Sequence, residues 1–330
     1  MKKVLTISIA AYNIEDYIEN ALKSLVVDRI MEKIEVLIVN DGSKDKTAQI
    51  AQKYVDKYPD TFILINKENG GYGSTINCST RIARGKYFKQ LDGDDWFDTD
   101  NLKEYIAYLE KSDSDLVITP FTTVYESDNS KRVAEYDEIP AMKEVSFDEY
   151  WNKTYIEMHA ATFKTQLFID NDIQLTEHCF YTDNEYTLYA IKNVVTMQKL
   201  PINIYMYRMG REEQSCSMAG YIKHFDDLET VIKKLSDFIL NWDKGSIEKK
   251  KYIQNRLDGL IVEMYRLYTY MIPTKESKKR FIQFDCYIRK QYPDFEGKIE
   301  DTSLKIVLKS KYILYGMICR INRRRYRDRL

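Results

Sequence analysis

Tyr87-Phe88-Lys89-Gln90-Leu91-Asp92-Gly93-Asp94-Asp95 is a strand-like run that ends at Leu91 and opens directly into three carboxylates within four residues. Crowding like charges is unfavourable unless a cation relieves it, and hard oxygen ligands suit Mg2+ or Mn2+, ions that keep open positions for phosphate oxygens. The plainer account of the same tetrapeptide is an acidic surface turn, since Asp and Gly are common in turns.

Working outward, short β-like runs alternate with helical patterns, the signature of β-α-β units and a mostly parallel sheet. Residues 4–10, 34–39, 62–65, 87–91 and 116–119 read as strands. Helices are predicted over 16–27 (apolar at Tyr17, Ile18, Ala21, Leu22 and Leu25), 44–58 (closed by Pro59), 74–84 (ended by Gly85) and 100–110, with Thr99 as its cap. From 120 to 215 the pattern is mixed, with one further strand pair at 194–197 and 202–208. Beyond Gly220 it turns helical, over 221–242, 247–271 and 275–291, punctuated by Gly245, Pro273 and Pro293. The expected organisation is a Rossmann-like α/β domain over 1–215, divided at about 118, then a helical extension over 216–302 and a tail over 303–330.

In an open parallel sheet, ligands bind beyond the carboxyl ends of the strands. Four polar loops fall there: Ala10-Ala11-Tyr12-Asn13, Asn40-Asp41-Gly42-Ser43, Asn69-Gly70-Gly71-Tyr72-Gly73 and Asp92-Gly93-Asp94-Asp95. Taken in order, Tyr12-Asn13, Asn40-Asp41-Gly42-Ser43-Lys44-Asp45-Lys46-Thr47, Asn69-Gly70-Gly71, Asn77, Gly85 and Asp92-x-Asp94-Asp95 resemble the nucleotide-sugar domain of family 2 glycosyltransferases, whose α/β fold is called GT-A. The resemblance is strong over about 4–100 and looser to about 215. The family commonly has Asp at the place of Asn40 and often Pro near Ala11.

The resemblance implies that Asp41 accepts the uracil imide N–H of a UDP-sugar and that Ala10, Ala11, Tyr12 and Asn13 line the base and ribose. Asn69, Gly71, Asn77 and Gly93 would belong to the same nucleotide-sugar surface, Asp92 would face the ribose, and Asp94 would coordinate Mg2+ or Mn2+ bridging the diphosphate. Asp95 would be a second ligand or a support. A tight turn at Asp41-Gly42 and a helix cap at Ser43 account for those residues without a ligand.

A second acidic cluster, Tyr181-Thr182-Asp183-Asn184-Glu185, looks like the family's Glu-Asp segment with Thr182 replacing its Glu. A transfer that inverts the anomeric centre needs a carboxylate to take the acceptor hydroxyl proton, which the resemblance assigns to Asp183, with Glu185 as the fallback. A helix cap is the competing role for Asp183. Downstream, Arg208 or Arg211 is suited to clamp a phosphate, or else to pair with Glu212 or Glu213. His159 and His178 lie in the acceptor half and are candidates to contact the metal or the acceptor, but their spacing gives no metal-ligand motif and a structural role is the favoured reading; Trp96 is a candidate sugar platform or rim aromatic.

The 330 residues carry 50 Lys+Arg against 51 Asp+Glu, a net charge of −1, which excludes a uniformly basic nucleic-acid binder; with 44% hydrophobic residues, 12 Gly and 6 Pro, collagen-like and disordered classes are excluded as well. Five cysteines without a Cys-x-x-Cys pair predict reduced thiols, the N-terminus reads as a strand rather than a signal peptide, and no run approaches the ~18 apolar residues that span a bilayer. The final 28 residues differ in kind: nine basic residues against Asp328 give net +8 and leave −9 for residues 1–302. Lys305, Lys309, Arg320 and Arg323 fall in one helical sector, with Leu304, Ile306, Val307, Leu308, Ile313, Leu314, Met317, Ile318 and Ile321 around the rest, the pattern of an interfacial helix on an anionic bilayer. Docking on its own domain and RNA binding are the alternatives.

The expectation is therefore a metal-dependent, inverting transferase taking a UDP-sugar to a hydroxyl of a saccharide or lipid-linked saccharide in surface-polysaccharide synthesis, cytoplasmic and peripheral at the inner face of the cell membrane. A nucleotidyltransferase is the nearest rival, though Ala10-Ala11-Tyr12-Asn13 lacks its usual Gly-rich basic loop; a non-catalytic sugar-nucleotide binder is the other.

Overall fold

The structure is a computed structural model describing residues 3–153, 155–210 and 215–325. The chain divides into two units, Met1–Arg211 with Asp243–Lys250, and Glu212–Trp242 with Lys251–Leu330.

The first unit opens with β1 (Leu5–Ala11), α1 (Ile18–Ser24), β2 (Ile34–Asn40), α2 (Thr47–Lys57), β3 (Phe62–Asn66), α3 (Tyr72–Ile82) and β4 (Tyr87–Asp92). It continues through β5 (Trp96–Phe97), α4 (Thr99–Lys111), β6 (Leu116–Ile118), β7 (Phe121–Tyr125), β8 (Lys131–Ala134), β9 (Glu144–Ser146), α5 (Phe147–Tyr150) and β10 (Ala161–Lys164). It closes with α6 (Thr165–Asp170), α7 (Asp183–Ile191), β11 (Thr196–Lys199) and β12 (Tyr205–Met209).

Among the described residues the strands form an eight-stranded sheet, ordered β3-β2-β1-β4-β10-β6-β11-β9, and a four-stranded one, β5-β12-β7-β8. The first four strands of the large sheet are parallel, and β2 is buried along its whole length because both sheet faces are covered. Register brings their carboxyl ends level: Ala11 pairs with Asn40, Asn40 with Asn66, and Ala10 with Asp92. From β1 the chain moves outward to β2 and β3, then returns to β1's other side as β4, so a topological switch point lies at the β1–β4 ends, where such sheets take ligands. Beyond β4 the sheet turns mixed, with β10 antiparallel to both β4 and β6.

Three expectations are corrected. The cap of α4 is Asp98, whose carboxylate accepts from the amides of Asp100 and Asn101, while Thr99 is the first helical residue; a carboxylate also suits the positive end of a helix. The strands around 194–197 and 202–208 do not pair: β11 joins β6 and β9 in the large sheet, and β12 joins β5 and β7 in the small one. The helix expected over 221–242 is two, α8 (Met218–Lys223) and α9 (Phe225–Leu240), parted at His224.

The second unit adds α10 (Ile247–Tyr270), which begins in the first unit's segment, α11 (Lys275–Gln291), α12 (Thr302–Lys309) and α13 (Tyr315–Arg325). Its core is aromatic: Phe281 packs against Tyr265, Tyr268 and Tyr315, with ring centroids 5.3–5.8 Å apart. The tail is not one helix. It breaks between Lys309 and Tyr315, with Lys311 and Tyr312 at positive φ, and buries Leu304, Val307, Leu308, Ile318 and Cys319. Ile306, Ile313, Met317 and Ile321 stay exposed beside Lys305, Lys309, Lys311, Arg320 and Arg324. Arg327, Asp328 and Arg329 lie outside the described residues. No helix among the described residues is long and apolar enough to cross a membrane. Cys78, Cys179, Cys216, Cys286 and Cys319 are free thiols.

Candidate active site

The loops after β1 and β2 are stitched together. Asn13 takes a left-handed backbone (φ 51°), its amide donates to Ser43 Oγ at 3.1 Å, and its side-chain oxygen accepts from the Lys44 amide at 2.8 Å. Tyr12, half exposed, projects from this seam. Asp41 lies just behind and is almost wholly buried. Its Oδ1 accepts from Lys67 Nζ (2.8 Å) and the Gly70 amide (2.9 Å), and its Oδ2 accepts from the Gly71 amide (2.8 Å). The Asn69 side chain donates to the Asp41 carbonyl at 3.0 Å. Asp41 thus shapes the loop after β3, and both of its carboxylate oxygens already accept hydrogen bonds from the protein itself.

Gly71 turns at φ +79°, where a Cβ would meet His178 and Cys179 backbone atoms at 3.1 Å. Gly93 is constrained by proximity instead: a Cβ there would stand 2.7 Å from the Ala10 carbonyl oxygen and 2.2 Å from Ile14 Cδ1. That closeness sets the acidic turn directly against the end of β1.

Within the acidic turn the carboxylates have different surroundings. Asp92 Oδ1 accepts from the Tyr72 hydroxyl at 2.6 Å. Asp95 is buried, its Oδ2 accepting from the Tyr205 hydroxyl at 2.7 Å and its Oδ1 from the Arg208 amide at 2.7 Å. Burial, followed by the neighbouring Asp94 and Asp92, pushes the Asp95 carboxyl well above the usual carboxylate range. Asp94 is half-buried, and its backbone carbonyl accepts from Arg208 Nε at 2.8 Å. The Arg208 guanidinium is braced further by Glu126 at 2.8 Å and lies over the Trp96 and Tyr17 rings, 4.9 and 5.1 Å from their centroids. Trp96 therefore meets a cation, and Arg208 supports the acidic turn.

Among the described residues, the side chains whose ligand atoms come within reach of one ion are Asp92, Asp95 and His159, mutually within 4.8 Å. Two carboxylates and an imidazole, with a buried carboxyl destabilised as an anion by its neighbours, fit a divalent cation. Burial and the nearby Lys89 lower His159 to about 3, so its ring is neutral near pH 7.

Asp183 is the first residue of α7, not its cap; that place belongs to Thr182, which makes no side-chain capping bond. It reaches the same region: burial, Asp92 and Asp183 together push the Tyr72 phenol well above its ordinary value, so both carboxylates act on one hydroxyl. Glu185 points elsewhere, fully buried and accepting from the Thr176 amide and hydroxyl at 2.7 and 2.8 Å. Asn77 does not reach the rim. Its amide spans Leu175, donating to the carbonyl at 2.9 Å and accepting from the N–H at 2.8 Å.

The structure thus brings Ala10, Ala11, Asn13, Asp41, Asn69, Gly71, Asp92, Gly93, Asp94 and Asp95 to one rim, with Asp183 near Asp92 through Tyr72. Arg211 lies outside the described residues. The carboxylate partners of Tyr72 and Tyr205 are not legible in the sequence, because a tyrosine beside glycines or inside a strand gives no local sign of them. His178 is exposed and its amide donates to the Gly70 carbonyl.

Comparison with known proteins places these observations in a family. The family model described as glycosyl transferase family 2 matches residues 6–180. A putative glycosyltransferase, EpsH of Bacillus subtilis (strain 168), is 35% identical over 122 residues, 37% of this chain and 35% of that protein. The poly(ribitol-phosphate) beta-N-acetylglucosaminyltransferase TarS of Staphylococcus aureus (strain Mu50) is 27% identical over 257 residues, 77% of this chain and 43% of TarS. The matches thus span less than half of these relatives' lengths. The crystal structure of TarS 1–349 in complex with UDP-GlcNAc superposes with a TM-score of 0.68 at 20% identity, covering 97% of this chain and 92% of that one. The mannosyltransferase PcManGT from Pyrobaculum calidifontis, in complex with GDP-Man and Mn2+, gives 0.54 at 13% identity, over 97% and 87%. The architecture is that of the GT-A type, an α/β sheet flanked by helices with a helical C-terminal region.

Proposed function

Because the chain belongs to glycosyl transferase family 2, we propose that it is a metal-dependent, inverting glycosyltransferase that moves a sugar from a UDP-sugar to a saccharide hydroxyl in cell-surface polysaccharide synthesis. The observation that carries this reading is that the Tyr72 hydroxyl holds Asp92, from the end of β4, at the switch point of the sheet, while the charge of Asp183, from the start of α7, acts on the same phenol.

In this reading the stitched loops hold the nucleotide. Tyr12 and the Ala10–Asn13 backbone line the base and ribose, and Asp41 both holds the Gly70–Gly71 amides and offers its remaining lone pairs to the uracil imide. Asp92 orients the ribose, with Tyr72 fixing its carboxylate. A divalent cation, Mg2+ or Mn2+, held by the carboxylates of the acidic turn, supplies neutralisation of the diphosphate leaving group. Asp183 accepts the proton of the acceptor hydroxyl; as an ordinary carboxylate is a weak base near pH 7, that proton moves late, as the new C–O bond forms. Arg211 is proposed as a phosphate clamp.

Replacing Asp183→Asn tests the assignment. UDP release from a UDP-sugar in the presence of acceptor and Mn2+ falls about a thousandfold while UDP affinity stays within a few-fold, the split expected for a lost general base. Equal turnover in the two proteins rules Asp183 out.

The acceptor in this proposal is lipid-linked, and the enzyme sits at the cytoplasmic face of the membrane through its C-terminal helices. Supporting it are the exposed Ile306, Ile313, Met317 and Ile321 flanked by exposed lysines and arginines, since apolar side chains inserted among anionic headgroups and basic ones above them act together.

A further inference from the structure

We propose that His159 is a ligand of the divalent cation, so that the metal site is a mixed set of Asp92, Asp95 and His159 that favours Mn2+ over Mg2+, with Asp92 serving the ribose through one carboxylate oxygen and the cation through the other; this rests on the metal-dependent reading above. Sequence spacing conceals the set, because the histidine lies 64 positions or more beyond both carboxylates in the chain and reaches them only because β10, which follows it, pairs with β4.

The first argument is geometric. Two ligand atoms on one ion, each about 2 Å from it, can stand at most about 4 Å apart. The three groups bring their atoms within 4.8 Å of one another with no ion present, a spacing from which side-chain movements reach a shared ion.

The second argument is an unmet hydrogen-bonding need. The His159 ring is wedged among Phe121, Tyr205 and Tyr207, at centroid distances of 5.0, 5.0 and 4.2 Å, and its Nδ1 is sealed from solvent without a hydrogen-bond partner. Buried polar atoms are nearly always paired, and an aromatic cage that wanted only bulk would be better filled by phenylalanine. The unpaired Nδ1 is accounted for by a group that it can bind.

The third argument is preorganisation. Lys89 Nζ donates to the His159 carbonyl at 2.8 Å, and the Tyr205 ring that meets His159 edge-on carries the hydroxyl that holds Asp95. One tyrosine therefore sets both the imidazole and a carboxylate, the kind of outer support that orients metal ligands. Imidazole is a poor ligand for Mg2+, which prefers all-oxygen surroundings, and a better one for Mn2+ and the later first-row ions.

The test is Mn2+ titrated into the full chain, with and without UDP, and read by electron paramagnetic resonance. Pulsed spectra of the wild type show coupling to a directly bound imidazole nitrogen. His159→Phe, which preserves the aromatic packing, abolishes that coupling and weakens Mn2+ binding about tenfold or more. Mn2+ bound by the wild type in a manner that Asp92→Asn abolishes, but without nitrogen coupling, overturns the role of His159 and leaves the metal-dependent reading standing. Failure of the wild type to bind Mn2+ under either condition overturns both. Since the nitrogen coupling is read on the wild type, misfolding of the variant leaves the test intact.

Discussion

Lys89 carries its ammonium group into the core beneath the acidic rim, where it donates to the carbonyls of His159 and Ala161 at 2.8 and 3.1 Å and lies 5.6 Å from the Tyr205 ring centre. Burial alone lowers its pKa from 10.5 to about 7. The sign follows from linkage. Below pH 7 the lysine is protonated in both folded and unfolded chains, and the cost of burying its charge is fully present. Between pH 7 and 10.5 the unfolded chain keeps a proton that the folded one has released, so this residue makes stability climb with pH, by up to about 1.4 kcal/mol per unit. Urea unfolding at pH 7.5 and 9.5 checks it: the wild type gains stability relative to Lys89→Met as pH rises, whatever the offset between them. A parallel pair of curves defeats the assignment. The tyrosines Tyr72 and Tyr205 act at the same scale, each turning a carboxylate towards the rim with a single hydroxyl.

Among the elements, α3 has a reach that its own sequence does not announce. Asn77, on its buried face, grips both backbone groups of Leu175, and a Cβ at Gly73 would stand only 2.3 Å from the Thr176 carbonyl oxygen. The segment leading to Asp183 is thereby fastened to the helix that follows the nucleotide-side loop. Asn77→Ala leaves two buried backbone groups without partners, a loss of about 2–4 kcal/mol in urea unfolding. Turnover in that variant falls more than UDP affinity, because the displaced segment carries the proposed base. The parallel half of the sheet was legible because its strands are continuous apolar runs punctuated by Gly, Pro and Asx turns. The second half was not: β7 and β10 span five and four residues and pair with β12 and with β4 and β6, partners far along the chain, a condition local pattern does not express. The same limit applies to the site. Loop motifs at the ends of β1 to β4 named the rim, whereas His159, Tyr205 and Tyr72 gain their meaning only from what faces them.

For the molecule as a whole, the net charge of −1 is an average over −9 in residues 1–302 and +8 in the tail. In the tail Leu304, Val307 and Leu308 are buried, whereas Ile313, Met317 and Ile321 are exposed and form the face proposed above to meet a bilayer. Cosedimentation with vesicles containing anionic phospholipid tests this: the wild type binds, binding weakens as salt is raised, and replacing Ile313, Met317 and Ile321 together by Glu abolishes it without changing transfer to a soluble acceptor. Binding that survives the triple replacement dismisses this face. The order of the large sheet has a consequence for biosynthesis. Protein chains are made from the N-terminus, and β4 leaves the ribosome with Asp92 and Asp95 long before His159 and β10, Asp183 and Tyr205 exist to meet them. Until then one edge of β4 is an open template for stray strands, and the acidic turn lacks the hydroxyl that steadies it. The nascent protein can therefore shape its nucleotide loops early, whereas the edge of β4 stays open until β10 is made, and the acidic turn waits longer still, for the hydroxyl that Tyr205 brings from β12.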